Sequence, residues 1–173
     1  MTLRVYTTGE VLTAANLNAS VNPLIAIKTA TETVNNSTTI QDDDELFVTP
    51  STNATYWVQT LVLYDSVSTT PNIKIAFSFA AGATFTYGGM GMTTANANFD
   101  TGAGDGYLRF PAATSGGRRT YGTMASELGA MPNGILIMDS TAGTFRLRWA
   151  QDTATAENTQ VKAKSYIWAR RIA

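Results

Sequence analysis

The chain contains no cysteine and no histidine in 173 residues. Without cysteine there is no disulfide framework of the kind that holds small secreted scaffolds together, and a thiol-free chain suits synthesis in a reducing cytoplasm. Without histidine the commonest general base and the commonest metal ligand are both missing. Ser115 and Ser126 therefore have no imidazole to activate them, and the expectation is a non-enzyme with no cofactor. Charge is sparse as well: 14% of residues are charged, against roughly 25% in an average chain. The 12 basic and 13 acidic residues leave a net charge of −1, so no long-range field favours nucleic acid or an anionic membrane as a partner. No apolar run approaches the ~20 residues of a membrane span. The opening Met1-Thr2-Leu3-Arg4-Val5-Tyr6 lacks a charged segment followed by an apolar one, so no secretory leader is expected.

What is present is threonine, valine, isoleucine and aromatic residues in short runs, separated by Thr/Asn/Gly/Ser turns. That pattern predicts an all-β fold, an antiparallel β-sandwich of jelly-roll type. Thr55 to Tyr64 is the clearest strand: Tyr56, Val58, Thr60, Val62 and Tyr64 share one face, and Trp57, Gln59, Leu61 and Leu63 the other. Both faces are rich in apolar residues, which predicts burial on both sides. Ile73 to Phe79 reads as a half-buried strand with Lys74, Ala76 and Ser78 outward, and Thr144 to Ala150 as one with Phe145, Leu147 and Trp149 inward. Further strands are expected at 31–34, 46–48, 83–87, 134–139 and 160–172. The first 28 residues differ. Ala14, Leu17, Val21 and Leu24 fall at helical spacing behind Thr13, a suitable N-cap, and Pro23 is a natural stop. A short helix within residues 12–22 is expected, too short to be stable alone. The division is an N-terminal attachment segment, 1–28, and a sandwich domain, 29–173.

Four groups of residues invite a functional reading, and each has a plainer alternative. The acidic run Asp42-Asp43-Asp44-Glu45 contains candidate calcium ligands in Asp42 and Asp44, but adjacent residues of a strand point to opposite faces, and a solvated turn is the simpler account. The glycine-rich stretch Asp100 to Gly106 lacks the Lys-Ser/Thr ending of a phosphate loop and reads as a surface loop. The pairs Arg118-Arg119 and Arg170-Arg171 are isolated, which suits ion pairs better than a nucleic-acid stripe. Tyr87, Tyr107 and Tyr121, with Trp57, are candidate glycan-stacking faces, although aromatic residues of β proteins usually serve the core.

The segment Thr7-Thr8-Gly9-Glu10-Val11-Leu12-Thr13-Ala14-Ala15-Asn16-Leu17-Asn18 resembles the G-E-x-L-T-A-A-x-L-N start found on many tail, fibre and appendage proteins of tailed bacteriophages. Residues 30–64, with Thr38 to Leu46 and Asn53 to Tyr56, resemble small virion-surface proteins of phages that infect actinobacteria. So does the ending from Leu147-Arg148-Trp149-Ala150-Gln151 through Ser165-Tyr166-Ile167 to Arg170-Arg171. The resemblance implies a structural protein of the virion surface: a capsid-decoration, head-fibre or minor tail protein, made in the host cytoplasm and assembled as a homotrimer. Its partners would be the major capsid or tail proteins. The expected docking residues are Val11, Leu12, Leu17, Val21, Leu24 and Ile25, because a marginal helix with an apolar face needs a platform to cover it. The alternative is a tail module that binds host-surface glycan.

Overall fold

The computed structural model describes residues 7–9, 11, 13, 23–92, 108–113 and 117–173. The helix expected within residues 12–22 lies outside the described residues, as do Leu12, Leu17, Val21, Tyr107 and the stretch Asp100 to Gly106. The described residues form twelve strands: β1 (Leu24–Ile27), β2 (Glu32–Val34), β3 (Gln41–Val48), β4 (Thr55–Ser66), β5 (Ile73–Ser78), β6 (Thr84–Met90), β7 (Leu108–Ala113), β8 (Arg119–Tyr121), β9 (Leu128–Ile137), β10 (Phe145–Gln151), β11 (Thr159–Val161) and β12 (Tyr166–Arg171).

Two antiparallel sheets contain them. The larger runs β1-β12-β4-β9-β6-β7, with β11 joining β4 to β2, and the smaller runs β3-β10-β5-β8. The twelve-residue β4 is the spine of the larger sheet. One of its edges pairs with β9, and the other pairs first with β12 and then with β11. Asn36 and Asn72 have positive φ at two turns that their sequence announces, a conformation asparagine tolerates better than most residues.

Period-two alternation places the core between the sheets. Tyr56, Val58, Val62 and Tyr64 of β4 are buried, as expected, against Ile73, Ile75, Phe145, Leu147 and Trp149 of the smaller sheet. Four aromatic rings form the centre of this contact. Phe77 stacks on Phe145 in the smaller sheet at 5.0 Å, and Phe85 stacks on Tyr87 in the larger one at 5.0 Å. The two pairs meet edge to face, with Phe85 4.8 Å from Phe145 and Phe77 5.2 Å from Tyr87. Such geometries add about 0.5–1.5 kcal/mol per pair beyond the area they bury.

Three expectations are corrected. The outer face of β4 is not covered: Trp57 is 43% exposed, and Gln59, Leu61 and Leu63 are half-buried. The four-stranded sheet covers one side of the larger sheet only. In β5, Lys74 and Ala76 are buried rather than outward-exposed. The sheet also begins at Leu24, ahead of the boundary expected at residue 29. Leu24 pairs with Ala169 and packs on the core as a strand residue, not as the last position of a helical face.

β9 begins at Leu128, ahead of the strand expected at 134–139, and runs through Pro132, Asn133 and Gly134. Side chains repair the ladder there. Proline has no N–H to give, and the Thr60 amide instead donates to the Asn133 side-chain oxygen at 2.9 Å, while the Thr60 hydroxyl donates to the Pro132 carbonyl. Gly134 lets β9 approach β6 closely, for a Cβ there would overlap the Thr86 carbonyl oxygen and the Tyr87 Cα. Replacing Gly134 with alanine is expected to cost about 1–3 kcal/mol, the usual penalty of overpacking. Thermal melting of Gly134→Ala checks this; an unchanged melting temperature would mean that β9 has room to shift.

Candidate functional site

The acidic run is not a turn. It lies inside β3, and the strand is irregular at that point. Asp42 pairs with Arg148 and Phe47 with Arg146, so the run between them bulges away from β10. Alternation then divides the carboxylates. Asp42 faces out and forms ion pairs with Arg148 at 2.7 Å and Arg146 at 3.4 Å, and the Arg146 guanidinium sits 4.5 Å from the Phe47 ring. Asp43 turns inward and is fully buried. Asp42 and Asp44 both stay exposed on the outer side, and among the described residues no group of three or more His, Cys, Asp or Glu side chains is arranged to hold a metal.

What Asp43 meets is Lys28, 2% exposed and one residue past β1. The Lys28 ammonium donates to both Asp43 oxygens at 2.9 Å and to Glu32 at 2.9 Å, with Glu45 3.9 Å away. Asp43 also accepts from the amides of Glu45 at 3.0 Å and Leu46 at 2.8 Å, which holds the bulge in shape. Glu45 accepts from the amides of Thr29 and Ala30 and from the Thr29 hydroxyl. Gln41 donates to Glu32 at 2.9 Å. The run is thus a cage of acceptors around one buried cation, and it links β1 of the larger sheet to β3 of the smaller. Nothing in the local sequence marks Lys28 for this role; its partners lie 4 and 15 positions away.

Burial by itself would lower the Lys28 pKa, but the hydrogen bonds to Asp43 and Glu32 outweigh it and raise the group above its ordinary 10.5. Hydrogen bonds from the Thr29 hydroxyl and the Ala30 amide hold Glu45 below its ordinary 4.5.

Two of the three tyrosines proposed as glycan faces, Tyr87 and Tyr121, are core residues; Tyr107 lies outside the described residues. Tyr87 is 3% exposed and Tyr121 5%. Tyr87 shares a strand face with Phe85, and its hydroxyl donates to the Gly117 carbonyl at 2.7 Å. Burial pushes both phenols up to about 12. Neither ring presents a free surface for a sugar. Of the expected docking residues within the described set, Val11 is 78% exposed, Ile25 lies outward on β1 at 56%, and Leu24 turns into the protein's own core. Arg118 and Arg170 are exposed, and Arg171 donates to the Ala173 carbonyl at 3.1 Å.

The feature that sequence reasoning missed is the outer face of the larger sheet. Cross-strand register lines up Ile25, Trp168 and Gln59 in one row and Ile27, Tyr166 and Leu61 in the next. Arg170, Trp57, Ile135 and Thr86 form a third row. Trp57 and Trp168 meet edge to face at 5.9 Å. Ile27 is 59% exposed, Ile137 51% and Ile135 39%. The alternation of Trp57, Leu61 and Leu63 opposite the core face was the signal, read as burial within one chain.

No family model matches the chain, and no curated protein matches it. Among solved structures, the chain is similar to a protein in the structure of infectious bursal disease virus, Gt strain. That match has 7% identity and a TM-score of 0.19, and it covers 89% of this chain and 39% of the other. The Gx strain of the same virus gives 7% identity and a TM-score of 0.18 with the same coverage. The chain spans well under half the length of these proteins, and at such TM-scores the overlap assigns no fold.

Two expectations follow from the cage. Asp43→Ala strands a buried cation and frees two amides, and breaking such a pair costs about 3–5 kcal/mol; urea denaturation at neutral pH measures it, with the loss toward the lower end because Glu32 remains. Stability should also fall at both extremes of pH. The contribution of Lys28 is complete below 10.5 and is lost as pH rises through its raised pKa, and the buried tyrosines add to the same alkaline loss above their ordinary 10.0. That of Glu45 is complete above 4.5 and is lost as pH falls through its lowered pKa. Urea midpoints followed from pH 3 to about pH 11.5 would contradict this if stability rose at either end.

Proposed function

We propose that this chain is a structural protein of a tailed-bacteriophage virion: a jelly-roll domain exposed on the particle surface as a capsid-decoration, head-fibre or minor tail protein, and docked through its N-terminal segment. The observation that carries the reading is strand order. Strands β3 to β10 fall into two sets of four, β3-β10-β5-β8 and β4-β9-β6-β7. Successive strands alternate between the sheets except at β6 and β7, which are neighbours in one sheet. That order matches the two interlocked Greek keys of an eight-stranded jelly roll, an architecture common among viral capsid and lectin domains. Strands β1, β12, β11 and β2 then extend the larger sheet beyond β4.

A fold hosts many functions, so the second support matters. The Gly9 to Asn18 motif that resembles phage appendage starts lies immediately ahead of β1. With Leu24 committed to the core, Val11, Leu12, Leu17, Val21 and the outward Ile25 remain as anchors. Full burial of side chains of this size is worth roughly 1.5–3 kcal/mol each, and several copies on a symmetric particle would add avidity. The sparse charge and the absence of histidine and cysteine agree with a non-catalytic role. The glycan-binding alternative has lost Tyr87 and Tyr121 to the core; Tyr107 lies outside the described residues, and among the described ones the Trp57–Trp168 pair is the exposed aromatic surface left to it.

The test is incorporation into particles. The double variant Leu12→Asp, Leu17→Asp should keep the melting temperature of the parent and disappear from purified virions, as quantified by mass spectrometry. A folded variant present at full occupancy would overturn the docking assignment, and absence of the parent chain itself from purified virions would overturn the virion reading.

A further inference from the structure

We infer that the outer face of the larger sheet is a self-association surface, covered in solution by the same face of a second copy of this chain. The inference does not rest on the virion reading, because it concerns the purified chain alone.

The face is too large and too apolar to be left bare. It spans β1, β12, β4, β9 and β6. Four strand spacings give a width of about 19 Å, and the run from Thr55 to Leu63 gives a length of about 26 Å. The flat footprint is roughly 500 Å², at the upper end of the largest apolar patch on an ordinary monomer. Side-chain relief carries its accessible area toward the ~800 Å² per partner of a standard interface. Its centre has the composition of an interface core, with Trp57, Trp168, Tyr166, Leu61, Ile27 and Ile135, because aromatic and aliphatic side chains are enriched there and charges depleted.

Charge selects the occupant. On the outward positions of β1, β12, β4 and β9 there is one cation, Arg170, in the row of Trp57, and one carboxylate, Asp65, at the opposite end of β4. Asp65 is already joined to Lys162 at 2.7 Å. A twofold axis lying across the strands near Leu61 lays β4 of one copy along β4 of the other in the reverse direction and leaves the few charges at the rim, where Arg170 of each copy comes over Gln160 of the other. The apolar centre then meets itself. A single self-complementary patch is what an isologous pair requires, whereas a threefold ring needs two different patches on each chain. The twofold pairing therefore takes the place of the homotrimer that the resemblance implies.

Light scattering of the full chain across a dilution series should give about twice the 18.5 kDa chain mass at micromolar concentration. Ile27→Lys and Ile135→Lys, made separately, place like charges at the twofold interface. Each should raise the dissociation constant at least tenfold, while Ser140→Lys, in an exposed turn away from the face, should leave it unchanged. Tryptophan emission is the second readout and needs no variant: it should shift to the red as the parent chain is diluted and Trp57 and Trp168 meet water. A parent that stays monomeric at 100 µM, a trimer, or association undiminished in both lysine variants would each overturn the inference. So would a monomer whose tryptophan emission responds to oligosaccharide, which would give the face to a glycan instead.

Discussion

One buried ammonium sets the shape of the sandwich at its open flank. Lys28 leaves β1 and enters an interior where a lone cation would be untenable, and Asp43 reaches it from β3 across the gap between the sheets. Both ends of that bond are fixed by backbone. The Lys28 amide donates to the Ser165 carbonyl and the Lys164 amide donates to the Lys28 carbonyl, while Asp43 is held by two amides of its own bulge. The pair therefore fixes where β1 lies relative to β3. A buried ion pair seldom adds much net stability over an apolar substitute. Here its effect is geometric: it specifies one register for a short edge strand that has only four residues of ladder to hold it.

The inequality of the two sheets has a second consequence. Eight strands on one side face four on the other. The core side of the larger sheet is filled by the aromatic quartet and its aliphatic surround, and the outer side keeps its tryptophans and isoleucines at the surface. The cage closes one flank and the four-stranded sheet closes one face, while the remaining face keeps Ile27, Trp57 and Ile135 exposed and is the one proposed to pair with a second copy.

Much of the β architecture was legible in the sequence, because period-two alternation is a direct imprint of a sheet with one dry face. Thr55 to Tyr64 and Thr144 to Ala150 fall close to where the alternation puts them. The errors have physical causes. The strand expected at 134–139 begins earlier, at Leu128, because the side chains of Thr60 and Asn133 carry the pairing past Pro132. Tyr87 looks like a binding aromatic until it is set on the same face as Phe85, a spacing of two that sequence alone displays. Lys28 is one lysine among several, and its partner comes from another sheet, so nothing local announces the cage. The double apolar face of β4 was visible; what covers its outer side is a question of assembly, which alternation does not answer.

The central claim is that this is a surface domain of a particle whose two contact regions are the N-terminal segment and the outer face of the larger sheet. A density map of intact virions carrying the chain tests it most directly. The account predicts paired domains with Trp57 and Trp168 buried between two copies, Lys28 enclosed by Asp43 and Glu32, and residues 1–22 seated on the underlying shell or tail. A map with that sheet face bathed in solvent and the N-terminal segment making no contact with the particle would contradict it.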